Sequence, residues 1–149
     1  MVPSGIEWLS DLVRLEITLW NRIDERLRAE HGQPLAFFWP LYVVGHSADE
    51  SLRIGEIAGT LGITVGGASK IVDRLARAGF LRRAPDATDR RASRVVLTDA
   101  GRSFLAAASQ TYEAEMTTLL DATLSPAQQR EMQRLFRQLL DTLDSGTPA

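Results

Sequence analysis

The residues of this chain whose types could do chemistry are few, and most of them are cationic. Cysteine is absent and histidine occurs only as His31 and His46, which removes thiol nucleophiles, disulfides, cysteine oxidation and a good ligand set for structural zinc. There is no Ser-His-Asp spacing, and the glycine-rich residues 62–67 lack the Gly-Lys-Ser/Thr ending of a phosphate loop. No catalytic role, cofactor or metal is therefore expected. The remaining signal is an uneven distribution of charge. Residues 53–102 hold ten Lys or Arg against five Asp or Glu, a balance of +5, while the flanks together hold seven against fourteen, or −7. The overall charge of −2 hides this split. Such a block is either a solvated face or a surface for a polyanion, and on charge alone the two are even.

The elements that would position these cations can be read from periodicity. Apolar residues Ile57, Ala58 and Leu61 define a short helix over 55–61, and Gly62 ends it. Thr64 can cap a second helix to about residue 78, stopped by Gly79, with Ile71, Val72 and Leu75 as its apolar face. Two helices joined by Leu61-Gly62-Ile63-Thr64 fit a helix-turn-helix, whose second helix enters the DNA major groove. That geometry leaves Thr64, Val65, Gly66, Gly67, Ser69, Lys70 and Arg74 for the DNA side. Gly66 and Gly67 each cost a helix about 1 kcal/mol against Ala; close backbone approach to DNA and plain tolerance near a helix start both account for them. Residues 80–84 and 93–97 read as strands of a hairpin with a charged tip. Arg90 and Arg91 at that tip have the chemistry to enter a narrow minor groove or to contact phosphates, with Asp89 placed to orient the Arg91 guanidinium. In isolation the same tip is an ordinary soluble turn.

Long helices frame this unit. Ile6, Leu9, Val13, Ile17, Trp20, Ile23 and Leu27 recur at three- and four-residue steps over residues 6–30, and residues 31–34 (His-Gly-Gln-Pro) stop the pattern. An aromatic helix follows over 35–45, with Pro40 reducing its expected regularity. Residues 52–54 read as a short extended piece. Thr98 caps a helix to about residue 122, and Ser125-Pro126 opens another with the stripe Met132, Leu135, Phe136, Leu139, Leu140 and Leu143. The tail from Ser145 to Ala149 is expected to fray. The fold class is thus mainly α with a small β-hairpin: a winged helix-turn-helix framed by long terminal helices. The apolar stripes fit a monomer folding one helix over the other, or a two-fold dimer that also spaces two recognition helices about 34 Å apart.

From residue 52 to 101 the chain resembles the MarR family of bacterial transcriptional regulators. The matching pieces are residues 52–58 (LRIGEIA), 62–64 (GIT), 69–75 (SKIVDRL), 78–81 (AGFL), the wing Thr88-Asp89-Arg90-Arg91 and residues 95–101 (VVLTDAG). The wing with Leu97-Thr98-x-x-Gly101 is the specific part. The resemblance implies one MarR-like domain over 1–149, with dimerisation and frame helices at 6–46 and 103–145 and a DNA-binding unit at 52–102. It also implies a cytoplasmic homodimer that acts as a repressor by binding a pseudo-palindromic double-stranded DNA operator. Arg91 would be the minor-groove arginine, Asp89 its partner, and residues 64–70 the major-groove reader. Gly66-Gly67 departs from the bulkier or polar side chains common there.

Many relatives release DNA when a small aromatic or phenolic acid binds between the dimer helices and the DNA-binding unit. Arg14, Trp20, Phe38, Trp39, Tyr42 and His46 are the residues that would supply such a pocket here, although aromatics at helical spacing are more often core. No apolar run approaches the ~20 residues of a membrane span, so no membrane partner is expected. The competing reading is a winged-helix module whose wing binds protein rather than DNA.

Overall fold

The computed structural model describes residues 4–146. In chain order these are α1 (Gly5–His31), α2 (Leu35–Gly45), β1 (Ser51–Leu52), α3 (Ile54–Leu61), α4 (Val65–Arg77), β2 (Leu81–Pro85), β3 (Ser93–Leu97), α5 (Asp99–Thr123) and α6 (Pro126–Ser145). Two compact units divide within α5, the first ending at Tyr112 and the second beginning at Glu113.

In the first unit, α1 starts in a reciprocal cap: the Glu7 amide donates to Ser4 Oγ at 3.2 Å and the Ser4 amide to Glu7 Oε2 at 3.0 Å. It stops at Gly32, whose φ of +70° lets its amide reach the Arg28 carbonyl. Its 27 residues extend over roughly 40 Å. Only Ile23 and Leu27 of its stripe are buried; Ile6, Leu9, Val13, Ile17 and Trp20 are exposed. The next helix begins where Asp24 Oδ1 accepts the Leu35 amide at 2.7 Å, so α1 itself caps α2. α2 runs over Leu35–Gly45, the span the sequence suggests, and continues through Pro40. The carbonyl that loses its partner belongs to Ala36, which is exposed to water.

Leu35, Phe38, Leu41 and Val44 of α2 meet Ile57 and Ala58 of α3, Ala68, Val72 and Leu75 of α4, and Leu81, Val95 and Leu97 of the strands in one buried core. The hairpin is part of a three-stranded antiparallel sheet of order β1-β3-β2. β1 pairs Ser51 with Val96 and Leu52 with Val95, and β2 sets Leu81 opposite Leu97. The extended piece read at 52–54 is therefore only partly strand: Arg53 caps α3 and Ile54 opens it.

The junction of β3 and α5 gives the Leu-Thr-x-x-Gly pattern a physical cause. The Thr98 amide donates to the Phe80 carbonyl at 3.0 Å, its hydroxyl donates to the Gly79 carbonyl, and the same oxygen accepts the Gly101 amide at 3.0 Å. A Cβ at Gly101 would lie 2.0 Å from the Phe80 carbonyl oxygen. Further along α5, buried Thr111 donates to Glu30 Oε2 at 2.7 Å and accepts from His31 Nε2 at 2.8 Å, tying α5 to the end of α1.

In the second unit, Ser125 caps α6 and its amide donates to Gln128 Oε1 at 2.9 Å, with Pro126 in the first turn. Leu135, Phe136, Leu139, Leu140 and Leu143 are exposed. Of the tail expected to fray, residues 147–149 lie outside the described residues. No helix among the described residues is long and apolar enough to cross a membrane.

Candidate nucleic-acid interface

The helix-turn-helix is set by two local devices. Gly62 adopts φ +66°, ending α3 in a left-handed turn. Thr64 then caps α4, its hydroxyl accepting the Gly67 amide at 3.1 Å. α4 turns Ala68, Val72 and Leu75 into the core, while Thr64, Val65, Gly66, Lys70 and Arg74 are exposed and Gly67 and Ser69 half-buried. Val65 is 59% exposed, an apolar side chain at the leading edge of the helix. A Cβ at Gly66 would meet open space, and one at Gly67 would crowd only the Thr64 hydroxyl at 3.2 Å. The first turn of α4 thus presents backbone where other helices present side chains.

Beside α4 stands the wing. Arg83 of β2 bonds Asp73 of α4 at 3.0 Å and Ser93 of β3 at 3.4 Å, so the outer strand is tied to α4. At the tip, Asp89 does not take the role expected of it toward the Arg91 guanidinium. Its Oδ1 instead accepts the Arg91 backbone amide at 2.9 Å, a two-residue Asx turn that shapes the tip. The carboxylate that gathers guanidinium groups is Asp86. Its side chain is 2% exposed, takes the Arg53 Nε at 2.8 Å, and lies 3.7 Å from an Arg94 nitrogen. The bond from Arg53, then those from the Thr88 hydroxyl and amide, hold its pKa well below the ordinary carboxylate range against the opposing effect of burial. The pattern Asp86-x-Thr88 was a readable turn signal; its partner Arg53, 33 residues upstream, was not.

The consequence is a sorting of cations. Arg53, Arg83 and Arg94 are paired with carboxylates. Lys70, Arg74, Arg90 and Arg91 are exposed, and among the described residues no side-chain hydrogen bond or ion pair engages them.

A sequence model described as the MarR family matches residues 38–92, from α2 through the wing tip. A MarR family transcriptional regulator from Streptomyces coelicolor, solved in complex with DNA, superposes with a TM-score of 0.83 at 23% identity, covering 100% of this chain and 95% of the other. The fold is that of the MarR family. AbsC, another MarR family regulator from Streptomyces coelicolor, gives 0.80 at 18% identity over 97% of this chain and 99% of its own. A mutant MarR from E. coli complexed with operator DNA gives 0.74 at 20% identity over 93% and 99%. No curated protein sequence matches the chain.

Within this MarR fold, four of the six residues read as a ligand pocket form one aromatic cluster: the Phe38–Trp39, Phe38–Tyr42 and Trp39–Tyr42 ring centroids are 5.4, 5.6 and 5.7 Å apart, and His46 stacks on Tyr42. Trp20 and Trp39 line an apolar groove of about 360 Å³ with Ala36, Pro40, Thr60, Leu61, Ile63 and Ile71. Phe38 is core, stacked on Tyr112 at 5.2 Å. Tyr42 and His46 stack at 4.0 Å, and His46 Nδ1–H donates to the Tyr42 carbonyl at 2.9 Å. Neither they nor Arg14 line the groove.

Proposed function

We propose that this chain is a sequence-specific DNA-binding transcriptional regulator, a homodimeric repressor of a pseudo-palindromic operator. The observation that carries this reading is that Lys70 and Arg74 on α4 and Arg90 and Arg91 at the wing tip are among the exposed, uncompensated cations, as are Arg77 and Arg82, beside arginines that are paired. Polyanion binding uses the free charges, and the paired ones shape the surface that carries them. α4 reads the major groove from Thr64, Val65, Ser69 and Lys70, with the backbone of Gly66 and Gly67 close to the DNA. Arg90 and Arg91 reach the minor groove or its phosphates, with Asp89 fixing the turn. The Streptomyces and E. coli structures described as DNA complexes support the same use of this fold.

The exposed stripes of α1 and α6 support the dimer. Ile6 at 84% and Leu143 at 69% exposure each belong to a periodic apolar row, and it is such continuous exposed apolar surface, not a single side chain, that marks an interaction site. A small aromatic or phenolic ligand fits the Trp20–Trp39 groove, whose volume lies at the low end of small-molecule sites. Its binding there would release DNA.

The test is a fluorescence-anisotropy titration with a duplex selected from random-sequence DNA by the wild-type protein. Arg91→Ala is expected to bind about 10- to 100-fold more weakly and to lower the salt slope by about one unit. Unchanged affinity refutes the wing assignment. Failure to select any duplex, with partner binding insensitive to salt, favours the protein-interaction module instead.

A further inference from the structure

We propose that Asp86 is the positioning residue of the wing, holding the tip arginines in a DNA-ready geometry by fastening the tip turn to the helix-turn-helix. The inference rests on the DNA-binding reading above and adds the group on which the tip's orientation depends. Asp86 Oδ1 accepts three bonds from the tip itself: the Thr88 amide at 2.9 Å, the Thr88 hydroxyl at 2.7 Å and the Asp89 amide at 3.2 Å. Oδ2 takes the Arg53 Nε at 2.8 Å, with Arg94 at 3.7 Å. Both cations are anchored elsewhere. The Arg53 amide donates to Glu56 Oε2 at 2.7 Å in the first turn of α3, and Arg94 donates to the Ser51 hydroxyl and carbonyl of β1, each at 2.7 Å. A line of bonds therefore runs from α3 through Arg53 and Asp86 to the Asp89 amide, and from the Asp89 carboxylate to the Arg91 amide.

The tip needs such an anchor. Residues 87–91 are exposed and bury no apolar side chain, and a hairpin end of that kind is marginal by itself. Holding it before DNA arrives removes part of the ordering cost of binding. A buried ion pair is weak evidence for stability as such, but its bonds do fix relative orientation.

The experiment is a double-mutant cycle of Asp86→Asn with Arg91→Ala on the selected duplex, with hydrogen exchange of the free proteins. Asp86→Asn keeps the shape of the side chain and removes its charge. Arg91→Ala is expected to cost tenfold or more in the wild-type background and less than threefold in Asp86→Asn. Exchange is expected to rise at residues 86–92 and stay unchanged in α4. Equal losses in both backgrounds, or exchange rising uniformly over the chain, overturn the positioning role while leaving the DNA reading intact. Arg91→Ala binding like wild type overturns the wing's DNA role and this inference with it. Should Asp86→Asn fail to fold, Arg53→Gln, at a half-exposed residue, carries the same cycle with the same outcomes.

Discussion

Replacing Gly101 with alanine sets two effects of known size against each other. In an open helical position the exchange stabilises by about 1 kcal/mol, because alanine is the better helix former. At Gly101 the added Cβ would stand 2.0 Å from the Phe80 carbonyl oxygen and 3.0 Å from its carbon. Both are backbone atoms, so no rotamer change relieves the contact, and the start of α5 must move away by more than about 1 Å to restore ordinary van der Waals spacing. Overpacking of this kind costs about 1–3 kcal/mol. The movement also strains the bonds from Thr98 to the Phe80 and Gly79 carbonyls, at about 1 kcal/mol each. The clash wins, with a net loss of about 2–4 kcal/mol. Urea denaturation followed by circular dichroism measures it, and a melting temperature lower by roughly 4–16 °C should accompany it. Gly59→Ala, whose Cβ meets nothing within 4 Å in α3, is the control and should be neutral or stabilising. A Gly101→Ala protein as stable as wild type would refute the account of the junction.

Gly66→Ala separates two explanations of the glycine pair in α4: it should raise stability by up to about 1 kcal/mol and weaken binding to the selected duplex, and unchanged affinity would mean the position is merely tolerant. The depressed pKa of Asp86 predicts a pH signature in the stability difference between wild type and Asp86→Asn. Because the folded pKa lies below the unfolded one, that contribution is complete above the ordinary value of 3.8 and is lost as pH falls through the folded value, so the difference is flat from pH 8 to 5 and narrows only in stronger acid. A difference that changes between pH 5 and 8 would contradict the assignment. Light scattering at micromolar concentration should give twice the monomer mass for wild type and a smaller mass for Leu139→Glu, which places charge in the exposed row of α6; a wild-type monomer would overturn the dimer.

Local rules made the helix-turn-helix legible. Gly62, Thr64 and Gly79 act on their immediate neighbours, through left-handed backbone at the two glycines and an amide cap at Thr64, so their positions alone marked the ends of α3 and α4. Long-range pairings were not legible. β1 is two residues long and exists because β3, more than forty residues later, offers it partners at Val95 and Val96. The Arg53–Asp86 bond joins residues that no sequence period connects. The aromatic residues of α2 show a different limit: their spacing fits both a pocket and a core, and the structure divides them, Phe38 inward and Trp39 to the groove. Leu97-Thr98-x-x-Gly101 was readable as a pattern, whereas its cause, the approach of α5 to the Phe80 carbonyl, required three dimensions.

The apolar rows of α1 and α6 lie on different residues from the free cations of α4 and the wing tip. On the dimer reading, a subunit that has lost its grip on DNA still pairs with an intact one. Such a mixed pair carries one working reading head and falls short on a two-half-site operator. An allele damaged at Arg91 should therefore be dominant over the normal copy, in proportion to its dosage, whereas damage to the α6 row should be recessive.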